Sequence, residues 1–377
     1  MKKVLLGTSA IAAATAIAAP AYAADWDVRV GGFMEQHVVY SSVDSASGTD
    51  FDGVDVQSDT EIFFLPSITL DNGLKFGANI QLEGNTGGDQ IDESYLFVKG
   101  SFGEINLGSE NSAGYKMSYG APDVSFYGIN SGSHTAAVPF RGNDLFRGTL
   151  GSTFLENAGS IGGANGQNND LQRITYYTPR FAGFQVGVSY ARDGSEDNSA
   201  RANCDAGGAA GNANCDYFDV AANYVNSFGD FDIAVSGRYG IASASATGAE
   251  DPEVYGFGLN LGFAGVTIGG SFGEQNGTAA SDGTVFDAGI SYETGPWGFS
   301  FTYIHGENHD NDNAAVVIGG QSANDETLDS YLLAATYSLA KGVKLGAYGA
   351  YVDFDEENGT AEDVDGFIIG TGIKLNF

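Results

Sequence analysis

Apolar and polar residues alternate one for one through much of this chain. Trp297, Phe299, Phe301 and Tyr303 interleave with Gly298, Ser300 and Thr302, and Phe184, Val186, Val188 and Tyr190 with Gln185, Gly187 and Ser189. Phe231, Ile233, Val235 and Tyr239 oppose Asp232, Ser236 and Arg238. At the C-terminal end Phe367, Ile369, Thr371, Ile373, Leu375 and Phe377 face away from Gly366, Gly370, Gly372, Lys374 and Asn376. A period of two sends successive side chains to opposite faces, so these runs predict β-strands with one apolar and one small or polar face. Tight turns separate them. Asp71-Asn72-Gly73 is the clearest, because Asn and Gly accept the positive φ such turns need. Others fall at 100–103, 180–183, 228–230, 264–265, 295–296 and 341–342. Between the turns lie longer polar stretches, near 43–56, 85–90, 110–169, 193–215, 241–252, 274–282, 307–326 and 355–363. Seven short connections alternating with eight long ones predict sixteen strands.

Two architectures satisfy this pattern. In a soluble sandwich the apolar face turns inward, and sixteen strands need two packed sheets with protected edges. In a membrane barrel the apolar face turns outward to lipid and the polar face lines water. Three features favour the barrel. Short and long connections alternate strictly. Aromatics collect near strand ends, at Tyr190, Trp297, Tyr303, Tyr331 and Tyr337, as interfacial girdles require. The even strand number lets the last strand pair with the first. The expected fold is therefore all-β: a transmembrane antiparallel β-barrel of sixteen strands, wide enough for an aqueous channel. Two places depart from clean alternation. Residues 61–65 are apolar on both faces before Pro66, which a bulge or packing under a loop would explain, and Gly31-Gly32-Phe33 leaves the first strand weakly patterned.

Composition agrees. The 377 residues include 56 Gly, 19 Tyr and 25 Phe but only seven Pro, and no stretch resembles a linker. The formal net charge of −32 makes nucleic-acid binding a poor fit, since phosphates would be repelled, and favours attraction of cations. Lys2 and Lys3, an uncharged run over 4–19 and Ala21-Tyr22-Ala23 predict a signal peptide over 1–23, with one barrel domain over 24–377; a membrane anchor is the alternative reading. Cys204 and Cys215 stand in one Asn/Gly/Ala-rich stretch, where an exported protein favours a disulfide over two free thiols.

The block IDESYLFVKGSFGEINLGSENSAGYKM at 91–117, the hairpin TLDNGLKFGANIQLEG at 69–84 and the terminal IKLNF resemble the general diffusion porins of Gram-negative bacteria, of the alphaproteobacterial type. The resemblance runs from about residue 25 to the end. It implies a homotrimer of sixteen-stranded barrels in the outer membrane, in contact with lipopolysaccharide and other outer-membrane lipid. It implies that Phe377 is the terminal aromatic read by the barrel assembly machinery, and that the third external loop, here 110–169, folds into the lumen. It further implies basic wall residues facing acidic loop residues across a constriction. The loop carries Asp123, Asp144 and Glu156. The Pro-Glu-Phe-Gly motif of enterobacterial members is absent, with Val138-Pro139-Phe140-Arg141-Gly142 only a loose echo.

The alternation places Arg29, Lys75, Arg173, Arg238, Lys344 and Lys374 on the lumen face, as expected where lipid-facing charge is costly. Lys75, Lys344 and Lys374 fall near the short-turn end, which leaves Arg173 and Arg238, then Arg29, as constriction candidates. Tyr177 and Tyr348 are the inward tyrosines the pattern identifies. The acidic stretches 307–312 and 353–365 lack EF-hand spacing; solvated external loops, holding Ca2+ at most loosely, are the expectation, with no cofactor.

Enzyme signals are weak. Gly269-Gly270-Ser271-Phe272-Gly273 matches G-x-S-x-G but lies in a strand pattern with no helix to follow. His305 and His309 are four apart, but Gly306 and Asn308 oppose the helix a zinc motif needs. The expected function is passive diffusion of small hydrophilic solutes and ions, with cation preference. A substrate-specific channel and a blocked structural or adhesion barrel are the rivals.

Overall fold

The computed structural model describes residues 25–45, 50–85, 90–127, 138, 170–194, 204, 215–244, 251–276, 282–309, 326–356 and 363–377. The predicted leader over 1–23, Asp144 and Glu156 lie outside them. Among these residues are sixteen strands and one short helix. The strands are β1 Asp27–Ser45, β2 Gly53–Thr69, β3 Lys75–Glu83, β4 Ile91–Gly100, β5 Gly103–Ser109, β6 Gln172–Tyr177, β7 Phe184–Asp193 and β8 Cys215–Phe228. They continue as β9 Phe231–Ser243, β10 Glu253–Phe263, β11 Val266–Asn276, β12 Asp282–Thr294, β13 Trp297–His309, β14 Glu326–Ala340, β15 Val343–Glu356 and β16 Val364–Asn376. The helix α1, Ala113–Met117, lies between β5 and β6.

Each strand pairs antiparallel with its sequence neighbours, and β1 pairs with β16, so the sheet closes on itself. Closure leaves no open edge in the hydrocarbon, where unpaired backbone groups would cost several kcal/mol each. The seam runs from Phe33 opposite Asn376 to Ser45 opposite Val364. Phe377 completes it: its N–H donates to Gly32 O (3.1 Å) and its carbonyl accepts from Gly32 N (3.0 Å). The last residue is thus fastened to β1 near the rim that carries the tight turns. At the turn after β2, Asn72 Oδ1 accepts from Leu74 N (3.1 Å) while Gly73 takes φ +83°, a conformation closed to most side chains.

The faces have the polarity of a membrane protein. Leu333, Ile369 and Phe257 are 63%, 59% and 56% exposed on the outside, whereas Thr302, Ser330 and Ser189 are buried on the inside. Leaving one large apolar side chain in water forgoes about 1.5–3 kcal/mol, so a surface paved with them needs lipid. Aromatics rank across neighbouring strands at two levels. Tyr303, Tyr331, Tyr351 and Phe367 stand opposite one another over β13 to β16 nearer the long loops. Trp297 stands opposite Tyr337 nearer the tight turns, their rings 4.7 Å apart.

The two irregular stretches pair with each other, Gly31 opposite Phe63 and Phe33 opposite Glu61. β2 and β3 keep one register on either side of Pro66, with Phe64 opposite Ile80 and Ser67 opposite Gly77, so no bulge is present there. Phe63 points inward and meets Phe33 edge-on at 6.3 Å. The irregularity lies instead in β4, where Ile80 faces Ser94 but Leu82 faces Ile91, so Asp92 and Glu93 together oppose Gln81. Gln81 Nε2 donates to Glu93 Oε2 at 2.7 Å.

Candidate channel and its constriction loop

From Glu110 to Tyr127 the third long connection runs along the inner wall. It has no strand partner, so its backbone N–H groups need acceptors. The inward face supplies them strand after strand. Ala113 N donates to Ser189 Oγ on β7 (3.0 Å) and Tyr119 N to Ser236 Oγ on β9 (2.9 Å). Ala121 N donates to Asp287 Oδ1 on β12 (2.8 Å) and Val124 N to Ser300 Oγ on β13 (3.2 Å). Asn223 Nδ2 on β8 donates to Met117 O (3.1 Å), and Tyr127 OH to Gln57 Oε1 on β2 (3.0 Å). The short helix is capped by Ser112, whose Oγ accepts from Tyr115 N (3.2 Å). The far end is clamped by rings: Tyr127 stacks on Tyr348 at 4.2 Å, and His37 lies 5.0 Å from Tyr127 and 5.4 Å from Phe126. Tyr348 OH and His37 Nδ1 are 3.0 Å apart.

The loop reorders the predicted charges. Arg238 faces inward as the alternation requires, but its side chain is 1% exposed and its Nη2 donates to Asp219 Oδ1 at 2.9 Å. The pair lies under α1, since a Cβ on Gly114 would come within 2.6 Å of both groups. Arg173 is likewise inward and buried, at 3% exposure. Asp123 is an anchor for the loop: its Oδ1 accepts from Ser300 Oγ and from Ser125 N, both at 2.8 Å. Arg29 stands near the tight-turn rim, 3.5 Å from Asp27 and 62% exposed, away from the loop. Lys75 lies opposite Lys99, its Nζ 5.9 Å from the Phe97 ring centre. Lys344 lies opposite Lys374, which pairs with Glu35 and sits 4.4 Å over the Phe33 ring. Cys204 and Cys215 form a disulfide beside β8.

Alternation missed several groups. Lys116 on α1 bonds Glu110 (2.8 Å) and Glu93 (3.2 Å) and covers the Tyr95 ring at 4.6 Å. Burial works against its charge, yet Glu110 and Glu93 beside it hold its pKa above the ordinary lysine range. Its sequence signal is that no other basic residue lies between Glu110 and Tyr127. Inward aromatics also exceed the two tyrosines expected: Tyr217 and Phe354 are buried on the inner face. Phe33, Phe63 and Phe97 stand near the tight-turn end. Neither enzyme motif assembles a site. Ser271 lies within β11 and donates to Asp287 Oδ2 (3.0 Å), with no elbow. His305 and His309 lie on one extended strand, roughly 13 Å apart along it.

A closed, lipid-faced barrel with an inserted loop and a polar interior defines a channel protein of the outer membrane. A family model described as Gram-negative porin matches residues 8–358, and the chain belongs to that family. Porins are channels, not enzymes. An outer membrane porin protein of Bordetella pertussis is 26% identical over the full length of both chains, and a porin of Rhodobacter capsulatus 24% identical over 67% of this chain and 89% of that one. Among solved structures, an anion-selective porin from Comamonas acidovorans aligns over 94% of this chain and 100% of its own, with TM-score 0.63 and 17% identity. OmpT of Vibrio cholerae, in a trimer form, aligns over 93% and 99% with TM-score 0.59 and 14% identity.

Proposed function

We propose that this porin passes small hydrophilic solutes and ions passively, with preference for cations. The observation that carries the preference is the burial of the two central wall arginines, Arg173 and Arg238, the latter beneath α1 and paired with Asp219. Inward Asp59 and Glu61, only half-buried, remain, on a chain of net charge −32. The Comamonas porin's anion selectivity does not carry over, because likeness at 17% identity extends to the fold alone. Purified protein in planar bilayers is expected to give steady conductance steps, and its reversal potential under a salt gradient to take the cation sign. An anion-signed potential would overturn the preference, and absence of steps would favour a blocked barrel. The inward Phe33, Phe63 and Phe97 give the substrate-specific reading its one support. Liposome swelling with sugars of graded size separates the two, since general diffusion falls smoothly with size.

We read the assembled form as a homotrimer. Outward Gln36, Ser58 and Thr60 on β1 and β2 are polar and stand among apolar Met34, Val38, Val56 and Ile62, and Ser58 Oγ donates to Gln36 Oε1 at 2.8 Å. Such groups suit protein contact better than hydrocarbon. The leader over 1–23 is removed on export in this reading, leaving a barrel over 24–377, and Phe377 is presented to the assembly machinery. Lipopolysaccharide covers the outer rim, where acidic residues hold Ca2+ or other divalent ions loosely.

A further inference from the structure

Building on the open-channel reading, we propose that Lys116 is the selectivity-determining cation of the constriction and the residue that positions the first turn of its loop. Its ammonium joins two segments of chain. Glu93 comes from the bulge in β4, and Glu110 opens the loop after β5. Their side chains are 6% and 0% exposed, whereas Lys116 keeps 25%, so the lysine is the member of the cluster that faces the lumen. Asn111 ties in a third segment: its backbone N–H and Nδ2 donate to Glu93 Oε1 (3.0 and 3.2 Å), and Nδ2 also to Asp170 Oδ1 near the end of the connection (2.8 Å). A buried carboxylate deprived of its cation is strongly unfavourable, so loop position and ammonium are coupled. One ammonium against two carboxylates also lowers the local negative charge by one unit at a point the lumen reaches. Arg238, paired with Asp219 and enclosed, adds little field there. The polarity of a basic wall facing an acidic loop is reversed at this contact: the loop brings the cation and the wall an acid.

Reversal potentials in planar bilayers test this. Lys116→Met keeps the length of the side chain and removes the charge. The cation-over-anion permeability ratio is expected to rise about two- to fivefold. Heat-modifiable gel migration checks that the barrel is intact. The double variant K116M/E110Q removes one charge of each sign and should return the ratio toward the wild-type value, which a purely steric role for Lys116 would not do. Lys116→Arg keeps the charge and should match the wild type. An unchanged ratio in K116M, a double variant that stays with K116M, or a shifted ratio in K116R overturns the proposal, and K116R alone decides if K116M does not assemble. Missing conductance in the unaltered protein would instead remove the channel reading, so the two failures are distinguishable.

Discussion

At Gly258, on the inner face of β10, the carbonyl oxygen of Tyr119 lies 1.8 Å from where a Cβ would stand. No side chain fits without moving the loop backbone. Other inward glycines take loop side chains in the same way: Gly289 meets Ala121 at 3.1 Å, Gly298 meets Val124 at 3.2 Å, and Gly346 meets Phe126 at 2.8 Å. The described part of the loop can therefore lie flat against the wall. Gly258→Val should lift the loop into the channel and cut single-channel conductance by roughly a third or more. Gly237→Ala, on the outer face with its nearest neighbour 3.9 Å away, should leave conductance unchanged. Equal conductance in both variants would show that the loop does not set the free cross-section.

Between elements, the outer face above the upper aromatic rank holds an unusual row. His305, Asp329, Asp353, Asp365 and Asp44 stand directly opposite one another across β13, β14, β15, β16 and β1. His305 Nδ1 lies 3.0 Å from Asp329 Oδ1, which eases one end of the row. The remaining aspartates face like charges, and each such cross-strand pair costs about 0.2–1 kcal/mol. The row sits where lipid headgroups begin, so counter-ions of that layer would offset the repulsion. Asp353→Asn should raise the thermal stability of detergent-solubilised protein in chelator, and added Mg2+ or Ca2+ should narrow the gap by stabilising the unaltered protein more. A variant less stable than the parent in chelator would contradict this account.

For the whole molecule, the governing fact is which face is oily. Leu333, 63% exposed on β14 between the two aromatic ranks, faces hydrocarbon in this fold. Leu333→Arg should therefore destabilise the bilayer-embedded barrel by about 2–4 kcal/mol, as charge at midplane depth does. Unfolding titrations in lipid vesicles would show it, and a neutral result would speak against a lipid-facing site. The sixteen strands, their turns and most of their faces were legible in the order of residues. Alternation and turn chemistry are properties of neighbours in the chain, and they follow from backbone geometry alone. Even Arg173 and Arg238 carried their inward orientation in their phase.

Phase stops at direction, however. It does not report what lies on top of a side chain. The contacts that bury Arg238, place Lys116 and clamp Tyr127 come from segments far apart: 107 residues separate Ser112 from Asp219, 176 separate Val124 from Ser300, and 311 separate His37 from Tyr348. The loop that makes them has no period, because its N–H groups take whatever acceptor the curved wall presents. Local pattern accounts for the barrel, and closure of the barrel around an aperiodic loop accounts for which charges meet the water.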